Sequence, residues 1–194
     1  MKTQIGEKLC QCYLADQRLH GLLEKVDSDL AQEAKEKGCG RCGAKLHCDD
    51  YDRKPRGGPT HWNKRRSFTC AEKRHRLTPA SVRFLGRRVY VGMVVVLISA
   101  MNHGLKAERL RALRETLGVE RRTLERWREW WLEQFVQSAF WKAARARFMP
   151  SVCELTLPLS LCAAFGVDRR DRLLDLLRFL CPITTGSDSS ERMI

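Results

Sequence analysis

A mainly α-helical chain with one small insertion of short β-strands is the fold class this sequence predicts, on three observations. Apolar residues recur at helical spacing over 13–37 and again from 82 onward. Between those stretches, residues 39–76 lose the periodicity to glycine, proline and charge. That same aperiodic stretch carries Cys39, Cys42, Cys70 and His75. Cys39 and Cys42 stand in Gly38-Cys39-Gly40-Arg41-Cys42-Gly43, a turn whose glycines let two thiolates aim at one ion, about 2.3 Å from each sulfur in a tetrahedral site. Cys70 and His75 supply the second pair. A closed four-ligand site would fold a segment that has no apolar core of its own. Residues 39–80 are therefore expected to form a zinc ribbon. Its Zn2+ would be structural, because four protein ligands leave no position open for water.

Two details bear on the ligand set. The distance between the pairs exceeds the roughly 15–20 residues of compact ribbons, and Pro55 and Gly57-Gly58-Pro59 are suitable residues for the longer loop. His47 and Cys48 compete for the fourth place, and His61 more weakly. Of the other cysteines, Cys153, Cys162 and Cys181 lie on apolar helical segments, and Cys10-x-Cys12 is too short for a knuckle.

The helices are predicted in order. Residues 1–38 hold a leader helix, with Leu14, Leu19, Leu22, Leu23, Val26 and Leu30 on a broad face and Gly38 as its end, suited to packing or dimerisation. Residues 81–149 form a helical bundle, with Ser81 as N-cap of a first buried helix from Val82 to Asn102. A second helix runs from Lys106 to Leu117, and a third from Glu120 to about Arg147. Two short leucine-rich helices fill 150–183, Leu159 to Phe165 and Arg169 to Leu180, separated by Gly166 and closed by Pro182. The polar tail 184–194 is expected to be disordered.

Charge narrows the partner. The 194 residues carry a formal net charge of +13. Residues 1–38 and 148–194 are each near −1, whereas 39–76 hold 11 basic and 4 acidic side chains and 83–147 hold 14 and 6. An excess confined to the centre is the footprint of a polyanion-binding surface. The apolar run from Val89 to Met101 is shorter than the roughly 20 residues of a bilayer span. The chain opens on mixed charge with no apolar signal core, and its nine cysteines are an odd number, so a reduced, cytoplasmic protein with no membrane partner is expected.

Leu110 to Trp127 carry helix-turn-helix spacing, with Gly118 in the turn and Val119 and Leu124 plugging the angle between the helices. On a helical wheel Leu124, Trp127, Trp131 and Phe135 cluster, with Arg122 and Arg126 roughly opposite. Arg114 and Glu120 depart from the usual small residue and capping Ser or Thr, and Glu125, Glu129 and Glu133 would repel phosphate if they faced it. In this reading Arg53, Lys54, Arg56, Lys64, Arg65 and Arg66 of the ribbon clamp DNA phosphates. Arg121, Arg122, Thr123 and Arg126 face the major groove, with Arg122 or Arg126 reading bases.

The order of parts, with Tyr51-Asp52-Arg53-Lys54-Pro55-Arg56-Gly57, Leu77 to Tyr90 and Arg121 to Trp131, resembles the zinc-ribbon and helix-turn-helix proteins encoded beside bacterial mobile-element transposases or integrases. The resemblance implies a nucleoid-associated accessory that binds transposon-end or target DNA, with a transposase or integrase and a second copy as possible partners. It implies no strand transfer, since nothing strand-rich follows the bundle and Asp168, Asp171 and Asp175 fall on one helix. The competing readings are an interaction module with loose nucleic-acid binding, a transcriptional regulator, and, least supported, a zinc hydrolase or nuclease.

Overall fold

A computed structural model describes residues 12, 13, 15–53, 56, 60–85, 90–101, 111, 114, 115, 118–166 and 170–185. It is mainly helical with small antiparallel sheets. The chain divides into two compact units, one comprising Asp16–Gly92 with Leu177–Ile194, the other Met1–Ala15 with Met93–Leu176. Among the described residues no helix is long and apolar enough to cross a membrane.

In the first unit, helix α1 spans Gln17–Lys37. Asp16 caps it, its carboxylate accepting from the N–H groups of Arg18 and Leu19 at 3.0 and 3.1 Å. Of the predicted face, Leu19, Leu23 and Val26 are buried, Leu22 and Leu30 are half-buried, and Leu14 lies outside the described residues. Gly38 ends the helix at φ 72°, and a Cβ there would meet the carbonyl oxygens of Gly43 and Ala44 at 3.1 and 3.2 Å. The helix thus delivers the chain directly into the first cysteine turn.

Five short strands follow: β1 Leu46–Cys48, β2 Tyr51–Asp52, β3 Lys64–Arg65, β4 Phe68–Cys70 and β5 Arg76–Leu77. β4 pairs antiparallel with both β1 and β5, with Leu46 opposite Cys70 and Phe68 opposite Leu77. β2 and β3 form a separate antiparallel pair. The core beside these strands is small: Cys39, Leu46, Phe68 and Cys70 pack with Ala31 of α1.

Residues 82–85, 90 and 91 depart from the predicted helix, residues 86–89 and Asn102 of that prediction lie outside the described residues, and the helix observed is α2, Gly92–Met101. The backbone N–H groups upstream are committed elsewhere. Val82 N–H donates to Asp27 at 2.7 Å, and those of Arg83 and Phe84 donate to Ser81 Oγ at 3.1 Å each. Phe84 instead forms an antiparallel bridge with Val91, and Gly92 N–H reaches Arg83 O. Ser81 therefore caps a local turn, not the helix.

Asp27 organises this corner. It is 1% exposed and accepts from Ser81 Oγ at 2.6 Å, Val82 N–H at 2.7 Å and Arg83 Nε at 2.8 Å. Arg83 is also buried, with Trp62 and Phe84 rings beneath its guanidinium. A carboxylate so enclosed is tolerable only because every bond is made.

In the second unit, α3 spans Arg121–Glu129 and continues as a π-helical stretch over Trp130–Phe135. Val119, Leu124, Trp127, Trp130, Trp131 and Phe135 are buried. The long third helix predicted to Arg147 is interrupted at Ser138. That residue takes an extended ψ of 143°, and its hydroxyl caps α4 (Ala139–Ala144) by accepting from Trp141 N–H at 3.1 Å. Serine is a preferred N-cap, so the break has a local cause. Trp141 in turn donates its indole N–H to Glu154 at 2.7 Å. Helices α5 (Leu159–Phe165) and α6 (Arg170–Phe179) lie where the leucine spacing puts them, and Gly166 closes α5 at φ 61°. Most of the predicted helix Lys106–Leu117 and the tail from Gly186 lie outside the described residues.

Replacing Asp27 by alanine leaves buried Arg83 with only the more distant Glu24 carboxylate at 4.0 Å, and breaking such a buried pair costs about 3–5 kcal/mol. Urea unfolding followed by circular dichroism should show that loss; a change below about 1 kcal/mol would remove Asp27 from this role.

Candidate metal centre

Two turns of similar backbone build the site. In the first, Cys39 N–H donates to Ala44 O at 2.9 Å and Gly43 N–H to Cys39 O at 2.7 Å. In the second, Cys70 N–H donates to His75 O at 3.1 Å and Arg74 N–H to Cys70 O at 3.0 Å. The correspondence sets Cys39 against Cys70, Gly43 against Arg74 and Ala44 against His75. Gly43 and Arg74 share the left-handed conformation, at φ 70° and 50°. Ala71 N–H ties the turns together by donating to Lys45 O at 3.0 Å.

This arrangement brings three predicted ligands together. The Sγ atoms of Cys39, Cys42 and Cys70 all lie within 4.8 Å of one another, and those of Cys42 and Cys70 are 3.5 Å apart. Tetrahedral thiolate ligation at about 2.3 Å sets sulfurs about 3.8 Å apart, so the three can hold one metal ion. Nε2 of His75 is 3.3 Å from Cys39 Sγ. The competing donors stand apart from the cluster. His47 and Cys48 are exposed on β1, and His61 faces Glu24 at 3.5 Å.

The two turns differ at the position of Cys42. Cys42 lies three residues after Cys39, and the residue three after Cys70 is Lys73, whose backbone N–H donates to Cys70 Sγ at 3.3 Å. His75, two positions further on, lies beside Cys39 and is not one of the three residues whose donor atoms are all within 4.8 Å of one another.

The thiols differ in acidity. The backbone N–H of Arg41 is the main cause holding Cys39 below the ordinary thiol range. Cys42 is pushed up: the N–H of Ala44 lowers it, but the neighbouring sulfurs of Cys39 and Cys70 outweigh that. Away from the site, burial raises the thiols of Cys162 and Cys181 to about 12. Cys153 is exposed and lowered, chiefly by the Thr156 hydroxyl.

The predicted phosphate contacts sort less uniformly. Arg65 is 2% exposed and donates to Pro79 O, so it is a core side chain and not a surface contact. Arg66 is exposed but bonded to Asp50 at 2.8 Å. Arg56 is exposed, with its guanidinium against the Tyr90 ring and hydroxyl. Arg53 is half-buried over Phe84, and Lys64 is exposed. Lys54 lies outside the described residues. On α3, Arg121 is paired with Glu125 at 2.9 Å, whereas Arg122 and Arg126 are exposed, and Arg126 approaches the half-buried Thr123 at 3.4 Å. Gly118 has φ 62°, as a helix-ending glycine requires, while most of the helix predicted before it lies outside the described residues.

The chain was compared with protein families, curated proteins and solved structures, and it matches none of them.

Differential alkylation tests the thiol assignment. Metal-loaded protein should label at Cys12, Cys48 and Cys153, spare the buried Cys162 and Cys181, and expose Cys42 only after chelation. Labelling of Cys42 at the same rate before and after chelator would contradict a metal site.

Proposed function

We propose that the chain is a DNA-binding protein whose ribbon is held by a structural Zn2+ on Cys39, Cys42, Cys70 and His75. The convergence of three thiols, with His75 Nε2 3.3 Å from one of them, carries this reading, and His75 is the proposed fourth donor. Thiolate and imidazole donors suit Zn2+ among common ions, and a set of four closes the coordination sphere. Such an ion would supply folding free energy and no reaction.

The charge distribution supports the DNA half. The ribbon stretch 39–76 carries 11 basic against 4 acidic side chains. In the other unit, α3 buries Leu124 and Trp127 and exposes Arg122, Arg126 and Arg128, the amphipathic form of a recognition helix. In this reading Gly118 is the turn glycine of a helix-turn-helix, and Arg122 and Arg126 carry the base contacts. The resemblance in layout to accessory proteins of mobile elements makes transposon-end or target DNA the proposed ligand, with a transposase or integrase as the proposed protein partner.

Fluorescence anisotropy on a labelled duplex checks the reading. Log affinity should fall linearly with log salt, by about 0.9 per phosphate neutralised. Arg122→Ala and Arg126→Ala should reduce discrimination between sequences more than they reduce the slope. Affinity unchanged between low and moderate salt would exclude DNA as the ligand.

A further inference from the structure

The two metal-site turns carry four cations that the sequence reading did not assign. Arg41 and Lys45 flank Cys42, and Lys73 and Arg74 lie between Cys70 and His75. All four side chains are exposed. Among the described residues none of the four forms an ion pair. The strand part of the ribbon differs. There Asp49 accepts from Arg76 at 2.7 Å and Asp50 from Arg66 at 2.8 Å, so those arginines are already neutralised.

Two of the four cations occupy positions where the ribbon's own geometry favours something else. Lys73 corresponds to Cys42, where a thiolate would complete the second turn in the image of the first. Arg74 corresponds to Gly43 and adopts φ 50°, a conformation that glycine takes freely and arginine rarely does. Structure alone would place cysteine and glycine there. Compensation of the thiolates does not account for the charge either. Glu72 removes one positive charge, and Zn2+ on three thiolates and a neutral imidazole would remove one more. Two then remain unmatched.

We propose that the tips of the two turns, through Arg41, Lys45, Lys73 and Arg74, form the ribbon's principal contact with the phosphate backbone of duplex DNA. This rests on the DNA-binding reading above and relocates its ribbon contacts from the 53–66 segment to the metal end. The Ala71 N–H bond to Lys45 O and the converging cysteines hold the two turns together, so their four cations would form one cationic tip. Such a tip suits a backbone that is read by charge and not by base sequence. The ion would hold the tip rigid without touching DNA.

The test compares metal-loaded full-length variants by anisotropy on one random-sequence duplex at several salt concentrations. The combined variant Arg41→Gln, Lys45→Gln, Lys73→Gln and Arg74→Gly should lower the salt slope by about 3 to 4, at roughly 0.9 per phosphate. Lys64→Gln with Arg66→Gln should lower it by less than about 1. Arg74→Gly alone should keep wild-type metal content and thermal stability, because glycine is the better residue at that φ, yet lose about one phosphate's worth of slope. That single variant separates charge from folding should the combined variant lose metal. A wild-type slope in Arg74→Gly, or in the combined variant at full metal content, overturns the assignment and leaves DNA binding standing. Absence of salt-dependent binding by the wild type overturns both.

Discussion

The convergence of Cys39, Cys42 and Cys70 is the constraint on which the ribbon depends. Two of these side chains are also two of the five that form its buried cluster, together with Ala31, Leu46 and Phe68. Strands of two or three residues supply few ladder bonds. Ala34, Ala44 and Leu77 pack against the cluster, and Asp49 ties Thr69 of β4 to Arg76 of β5.

The remainder of that unit is held by a different kind of interaction. Asp27 reaches from α1 to the 81–83 corner and takes three hydrogen bonds there, while Arg65 and Arg83 lie against the Phe84 ring. The ribbon is thus clasped at both ends. Thiols gather one end, and a buried carboxylate with two buried guanidinium groups fixes the other. Arginine count alone therefore misleads about the surface, because two of the basic residues in this segment are spent inside.

How much of this was legible in the sequence follows from the range of each signal. Local patterns read well: Gly38 ends α1, Leu159–Phe165 and Gly166 form a helix and its stop, and Leu124 and Trp127 face inward. The Cys-x2-Cys turn and its partner Cys70 were visible because metal donors are few and their spacing is restricted. Partners distant in sequence were not. Nothing near Asp27 shows that it will bond Ser81, Val82 and Arg83, and those bonds are what delay the helix predicted from Val82. Arg65 and Arg66 are adjacent and chemically identical, yet the first is the inward residue of β3 bonded to Pro79 O and the second, just past the strand, is exposed and paired with Asp50. Two signals were present but unread. Ser138 is a strong N-cap three residues before Trp141, and Lys73 follows Cys70 at the spacing by which Cys42 follows Cys39.

The claim that a metal ion anchors the ribbon is tested most directly by elemental analysis of the purified full chain beside its Cys42→Ser variant. One zinc per chain is predicted for the wild type. In the variant the zinc should be lost or greatly weakened, together with the hydrogen-exchange protection of β1 and β4. A wild type that carries no metal, and a variant that keeps those strands protected, would contradict the account.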